Sequence, residues 1–299
     1  MKLLITGGTV FVSKYAATYF QKKGYDVYVL NRGNKKQVEG VTLIKGDRHQ
    51  LKDSLKGYHF DAVLDVCAYT KQDIKELLDA LGDFQDYIFI SSSAVYPETN
   101  TQPFDEEQPI GKNYYWKNYG INKVEAEQYL TQKVPNAYII RPAYIYGPMQ
   151  NLYREPFVFE CALRNRKFYI PKDGTMKLQF IHIDDLCKMM ENILLTHPKQ
   201  KIYNAGNEEP IDINTFVDLC YQVVGTPLEA IHVYDHDNPR DYFSFSDYEY
   251  VVNTEHQKEI LKETIDFKTG LKESFDWYFK HQKDVLRREY IDFIDQSFK

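Results

Sequence analysis

The chain opens on a short apolar run, Leu3-Leu4-Ile5, that passes through Thr6-Gly7-Gly8-Thr9 into a segment, Phe11 to Lys23, where Phe11, Tyr15, Tyr19 and Phe20 recur at helical spacing. This order predicts a buried strand, a tight glycine turn and a helix. Such a turn presents backbone N–H groups at the positive end of a helix, where a dinucleotide pyrophosphate can sit. Gly7 and Gly8 suit that role. The next two glycine places of the pattern hold Val10 and Ser13, and the β-branched Val10 is the departure that could crowd a pyrophosphate.

Beyond the turn, short apolar runs keep alternating with amphipathic stretches. The expected strands are Asp26 to Leu30, Val41 to Ile44, Ala62 to Val66, Tyr87 to Ile90 and Ala137 to Ile140. Helices are expected notably over Asp73 to Leu81 and Asn122 to Leu130. The alternation predicts β-α-β crossovers and an α/β fold with a Rossmann-like, doubly wound parallel sheet.

Ligands of such sheets bind beyond the carboxyl ends of the strands, which makes the residues after each run the candidate contacts for a cofactor. They are Gly7, Gly8, Thr9, Val10, Phe11 and Val12 in the first turn, Asn31 and Arg32 after the second run, and Asp47 and Arg48 after the third. Cys67, Ala68 and Tyr69 follow the fourth, Ser91 the fifth and Pro142 the sixth. An acid after the second run would receive a ribose 2′-hydroxyl, whereas an arginine accepts a 2′-phosphate. With Arg32 in that place, NADP is somewhat favoured over NAD. Asp47 is placed to bind the adenine or to cap a following helix.

Tyr119 and Lys123 lie four apart, and on a helix that spacing puts them on one face. The ammonium can lower the phenol pKa and help hold a cofactor ribose. Tyr19/Lys23 and Tyr129/Lys133 have the same spacing, but only Tyr119/Lys123 follows a serine-tipped strand, Ser91-Ser92-Ser93, whose hydroxyls can orient a substrate oxygen.

Composition narrows the remaining choices. At 299 residues the chain can bury a large core and hold two domains, or one with a cap. Its 37 basic and 43 acidic residues leave a net charge of −6 and no electrostatic reason to expect nucleic acid. Cys67, Cys161, Cys187 and Cys220 are widely spaced, so neither zinc nor a disulfide framework is expected. No metal site is expected either. Without a long apolar stretch or a signal-peptide h-region, the expected location is the cytoplasm.

The landmarks Thr6-Gly7-Gly8-Thr9, Gly46-Asp47, Ser91 to Tyr96, Tyr119/Lys123, Arg141 to Pro148, Phe180 to Leu186 and Tyr203 to Gly206 occur in an order that resembles extended short-chain dehydrogenases/reductases of the NAD-dependent epimerase/dehydratase family. The resemblance implies that Tyr119 is the general acid/base, Lys123 its partner and Ser92 the substrate-orienting hydroxyl. It also implies a small-molecule substrate, such as a sugar nucleotide, and admits a homodimer.

The glycine turn, Asn31-Arg32-Gly33 and Gly46-Asp47-Arg48 are similar to an atypical branch of the family that includes chloroplast stem-loop-binding proteins able to bind RNA. Ser93 and Ala94 stand where family dehydratases carry acids, which disfavours dehydration. Leu178 occupies the place of an arginine that binds the diphosphate in sugar-nucleotide members, with Lys177, Arg240 or Arg154 as replacements.

Residues 1–150 are expected to form the cofactor domain, with 178–206 returning to it. Residues 151–177 and 207–299 are expected to form a substrate cap. His182 and Asp185 are read as structural residues at a strand-to-helix junction, and Asp212 as a helix cap. The expected function is an NAD(P)-dependent epimerase working by transient hydride transfer. Two alternatives are an NADP-dependent reductase of a small carbonyl substrate and a non-catalytic cofactor-sensing or RNA-binding protein.

Overall fold

The computed structural model describes residues 1–298. In chain order the first half contains β1 (Lys2–Thr6), α1 (Phe11–Lys22), β2 (Asp26–Asn31), β3 (Thr42–Lys45), β4 (Phe60–Asp65), α2 (Lys71–Ala80), β5 (Phe84–Ile90), α3 (Lys117–Lys133), β6 (Tyr138–Pro142) and β7 (Tyr144–Tyr146). The second half contains α4 (Glu155–Leu163), β8 (Phe168–Pro171), β9 (Lys177–Leu178), β10 (Phe180–His182), α5 (Ile183–Thr196), β11 (Ile202–Ala205), β12 (Ile211–Asp212), α6 (Ile213–Val224), β13 (Ala230–Val233), α7 (Phe267–His281) and α8 (Tyr290–Ser297).

Seven strands pair in the order β11-β6-β5-β4-β1-β2-β3, every neighbour parallel. Residues of α1 and α5 pack with the sheet in one core, through Phe11, Ala16, Phe20, Leu186 and Ile193. Residues of α2 and α3 pack in another, through Ile74, Leu77, Ala126 and Leu130. The chain leaves β1 toward β2 and leaves β4 toward β5, in opposite directions, so the strand order reverses between β1 and β4 and opens a crevice at their carboxyl ends.

The second half builds a further, aromatic-rich core around Phe157, Phe168, Phe180, Phe216, Phe245 and Tyr278, where α4, α6 and α7 meet. Eight of the 25 tyrosines are among the largest fully buried side chains and serve as packing. The segment near 250 returns to the first half: Tyr250 and Val252 pack with Tyr96 and Phe104, and Ile260 and Leu261 join the sheet core.

The expected elements are found with shifted ends. α3 begins five residues before the expected start because its buried face includes Gly120, Lys123 and Glu127, which hide the apolar period of its first turns. No helix follows Asp47. Its carboxylate accepts from His49 N at 3.0 Å, and the segment runs on in turns that bury Leu51 and Leu55.

Candidate active site

α1 starts without a side-chain cap and without an acid in its first turn, which leaves its N-terminal amides open to a ligand. Gly7 and Gly8 have φ of +91° and +93°. A Cβ on Gly7 would stand 2.6 Å from Cys67 Sγ, and one on Gly8 2.6 Å from Val29 Cγ1. Glycine is therefore required both by conformation and by space.

Two neighbouring cavities, of about 500 and about 430 Å³, open along this crevice and share Val10 and Cys67 as walls. The first holds Phe11, Val12, Tyr69, Ser91, Ser92, Tyr119, Lys123 and Pro142. The second holds Gly7, Thr9, Asn31, Arg32, Lys35, Asp47 and Arg48. Val10, 37% exposed, stands at their junction.

Tyr119 reaches Ser92 because α3 can approach the turn after β5. A Cβ at Gly120 would lie 2.5 Å from the Ala94 carbonyl oxygen, so the contact requires glycine. Ser92 caps that turn, its Oγ accepting from Ala94 N at 3.1 Å. Tyr119 is 36% exposed and lines the first cavity. Burial raises its pKa, while the Ser92 hydroxyl and the charge of Arg154 act in the opposite direction.

Lys123 is buried beneath Tyr119. Its Nζ donates to Ala68 O at 2.7 Å and Ile90 O at 2.8 Å, and lies 6.0 Å from the Tyr119 ring centre. Burial pushes its pKa down to about 8, against the attraction of Asp65 and Glu127. The expected lowering of the Tyr119 pKa by this ammonium is not found. Two backbone carbonyls hold the Lys123 charge below the phenol, and the phenol pKa is raised.

Other expected contacts are placed differently. Gly8 and Ala68 are outside the lining of both cavities: Gly8 packs on Val29, and Ala68 serves through its carbonyl. Ser91 donates its hydroxyl to Glu127 at 2.5 Å, which turns that group away from a ligand. Arg48 borders the second cavity, but its guanidinium clamps both Asp65 oxygens, at 2.9 and 2.8 Å. Asp65 is fully buried and also accepts from Thr6 and Tyr87, so Arg48 neutralises a buried carboxylate. The Asn31 amide is taken up by Gly7 O at 2.6 Å and by Gln37, whereas Arg32 is exposed at the cavity rim. His182 and Asp212 cap α5 and α6 as expected, and Asp185 accepts from Ile265 N and Lys188.

Sequence reading missed the wall opposite the cofactor turn. Trp116, Tyr144 and Tyr250 line the first cavity together with Arg154, whose guanidinium lies 4.8 Å from the centre of the Tyr144 ring. These residues come from four separate parts of the chain. The one sequence signal was Arg154 as a replacement for the arginine missing at Leu178. Lys177 pairs instead with Asp212 at 3.5 Å.

Next to Arg154, Glu155 is fully buried. Its pKa is pushed up to about 7 by desolvation, with Ser274 Oγ donating to it at 3.3 Å. A carboxyl whose folded pKa is raised contributes stability that is complete below its unfolded value, near 4.5, and lost as pH rises through 7. Glu155→Gln should therefore gain stability over the native chain between pH 5 and pH 9, by about 3 kcal/mol at the alkaline end. Urea unfolding across that range measures the difference, and a difference independent of pH would refute it.

The sequence profile described as the NAD dependent epimerase/dehydratase family matches residues 3–206. Chloroplast stem-loop binding protein of 41 kDa b from Arabidopsis thaliana is 28% identical over 93% of this chain and 79% of its own length. UDP-glucose 4-epimerase from Corynebacterium glutamicum is 25% identical over 77% of this chain and 82% of its own. The structure of UDP-glucuronic acid 4-epimerase from Bacillus cereus, described in complex with UDP-glucuronic acid and NAD, superposes with a TM-score of 0.72 at 18% identity, covering 94% of this chain and 99% of that one. Among the described residues no helix is long and apolar enough to cross a membrane, and no group of three or more His, Cys, Asp or Glu is arranged to hold a metal.

Proposed function

The chain belongs to the NAD-dependent epimerase/dehydratase family, and from that premise we propose that it is a nicotinamide-dependent epimerase of a sugar nucleotide, with Tyr119, Lys123 and Ser92 as its reacting group. The observation that carries this reading is the close approach of α3 at Gly120. It places Tyr119 next to Ser92, above the buried Lys123, in a cleft continuous with the open end of α1. Residues 151–177 and much of 207–299 serve as the substrate cap over this cleft.

A nicotinamide supplies, when bound, reversible uptake of a hydride. The open amides of α1 and the room left by Gly7 suit its pyrophosphate, and Arg32, Lys35 and Asp47, which line the second cavity, would hold the adenosine end. Ser92 and Tyr119 receive the substrate carbinol, and Tyr119 takes the hydroxyl proton as the carbon bearing that hydroxyl is oxidised, its hydride going to the nicotinamide. Tyr119 then returns that proton after the ring has turned its other face. Lys123 holds α3 to the carbonyls after β4 and β5, which keeps the phenol in register with the cleft. Ser93 and Ala94 offer no acid for an elimination, which supports epimerisation over dehydration.

The anionic character of the substrate is supported by the arginines. Arg48, Arg141, Arg164, Arg166 and Arg287 pair with acids. Arg154 and Arg240 pair with none among the described residues and stand close enough to influence each other. Burial and the charges of Arg288 and Arg154 hold the Arg240 pKa below its usual value. A half-buried cation without a counter-ion is a natural receptor for a diphosphate.

Calorimetric titration with NAD, NADH, NADP and NADPH tests the cofactor, and absence of binding by all four would remove this reading. Arg32→Ala should weaken NADP about ten- to a hundredfold, the loss of one charge-assisted hydrogen bond, and leave NAD nearly unchanged. Equal effects on both would show that Arg32 does not meet a 2′-phosphate.

A further inference from the structure

Arg48 ties together parts of the cleft that lie far apart in the chain. Its Nη1 and Nη2 donate to the two Asp65 oxygens at 2.9 and 2.8 Å, and Nη2 also donates to Asp73 O, in the first turn of α2, at 3.1 Å. The turn after β3 is thereby fastened to the end of β4 and to α2. Asp65 is fully buried and lines neither cavity. Burial works against its charge, but the Arg48 guanidinium and the Thr6 and Tyr87 hydroxyls hold its pKa below the ordinary carboxylate value, so it stays ionised.

From Asp65 the linkage runs on to the other walls. The Thr6 hydroxyl donates to Asp65 Oδ1 at 2.7 Å and accepts from Val66 N and Cys67 N at 3.1 and 3.2 Å, which joins the end of β1, just before Gly7, to the turn after β4. That turn continues to Ala68, whose carbonyl receives Lys123 Nζ. On the opposite side Asp47 directly precedes Arg48 and lines the second cavity, and Gly46 N donates to Asn31 O at 3.0 Å. One ion pair therefore stands where the turns after β1, β3 and β4 meet, and residues of those turns wall both cavities. A buried pair adds little stability over apolar residues of the same size. Its geometric content is larger, because a guanidinium fork on a carboxylate fixes both the distance and the angle between the segments that carry them.

We propose that Arg48 and Asp65 are positioning residues of the cofactor cleft: their pairing sets Asp47 and the turn 66–68 at the spacing that one dinucleotide spans. The guanidinium is spent on Asp65 and Asp73 rather than on the ligand. This assignment rests on the nicotinamide-dependent reading above. Lys123 shares in it, since the turn that Asp65 and Thr6 hold in place is the one that anchors Nζ.

The test is calorimetric titration of NAD and NADP into the native chain, Asp65→Asn, Arg48→Met and the double variant Arg48→Met/Asp65→Asn, with urea unfolding of each. Asp65→Asn exchanges one oxygen for an amide nitrogen at a residue outside both cavities, so it changes the pair without removing a ligand contact. Each variant should bind the dinucleotide about ten- to a hundredfold more weakly, the scale on which losing a residue that orients metal ligands is felt. The double variant should be more stable than Arg48→Met, because it leaves no uncompensated charge, and should bind no better. Affinity that returns to the native value together with stability would show that Arg48 only neutralises Asp65 and would overturn the proposal. Asp65→Asn with native or higher affinity, beside a weakened Arg48→Met, would make Arg48 a direct ligand contact and overturn it as well. Should the double variant fail to fold, native affinity in the near-isosteric Asp65→Asn is enough to overturn it. Binding of neither dinucleotide by the native chain would remove the cofactor reading and this assignment together.

Discussion

Tyr119→Phe should lower turnover by about 10² to 10⁴ while leaving the fold intact, because that is the usual worth of a positioned proton-transfer group. The hydroxyl has no structural partner that the fold needs: its neighbour Ser92 already caps its own turn through Ala94 N. Lys123→Met should reduce both turnover and cofactor affinity, since Nζ anchors the Ala68 and Ile90 carbonyls on the floor of the cleft. Tyr19→Phe is the control of equal spacing. The Tyr19 hydroxyl donates to Glu191 at 2.7 Å, outside the cleft, and its loss should leave turnover unchanged. The measurement is the steady-state rate of UDP-sugar interconversion. A Tyr119→Phe protein that keeps the native rate would exclude Tyr119 as the acid/base.

Glu127→Ala should destabilise the protein by about 3–5 kcal/mol, the cost of leaving a buried ionic partner unpaired. Glu127 and Arg141 are 2% and 3% exposed, and Arg141 meets Glu127 through Nη2 at 2.7 Å and through Nε at 3.1 and 3.2 Å. The same carboxylate receives Ser91 Oγ, and Arg141 continues to the Tyr96 hydroxyl at 2.8 Å. One buried network thus ties α3 to β5 and β6 immediately below the cleft. The double variant Glu127→Met/Arg141→Met should lose less than the sum of the two single losses, because it leaves no uncompensated charge. Urea unfolding of the three variants measures this, and strictly additive losses would argue against a coupled pair.

The parallel sheet could be read from the chain because a buried strand is a local signal. Leu3-Leu4-Ile5, Ala62 to Leu64 and Ile88 to Ile90 are runs that have no soluble alternative, and the glycines after the first run admit only a tight turn. Tyr119, Lys123 and Ser92 were legible for a similar reason, since one spacing and one serine-tipped strand suffice to nominate them. Their electrostatics were not.

Whether Lys123 serves the phenol or two carbonyls, and whether Arg48 faces a ligand or clamps Asp65, depends on atoms supplied by strands and turns distant in sequence. The same holds for the wall of Trp116, Tyr144, Arg154 and Tyr250. It is assembled by α3's first turn, β7, the start of α4 and a late segment that returns to Tyr96 and Phe104. Periodicity reports which face of an element is buried, and so the sequence by itself determined the layers and the glycine turn, and nominated Tyr119 and Lys123 as the candidate proton-transfer pair. Charge pairing depends on distance through space, and only the tertiary structure decided which cations are neutralised in the core and that Arg154 is left in the cleft without an acidic partner.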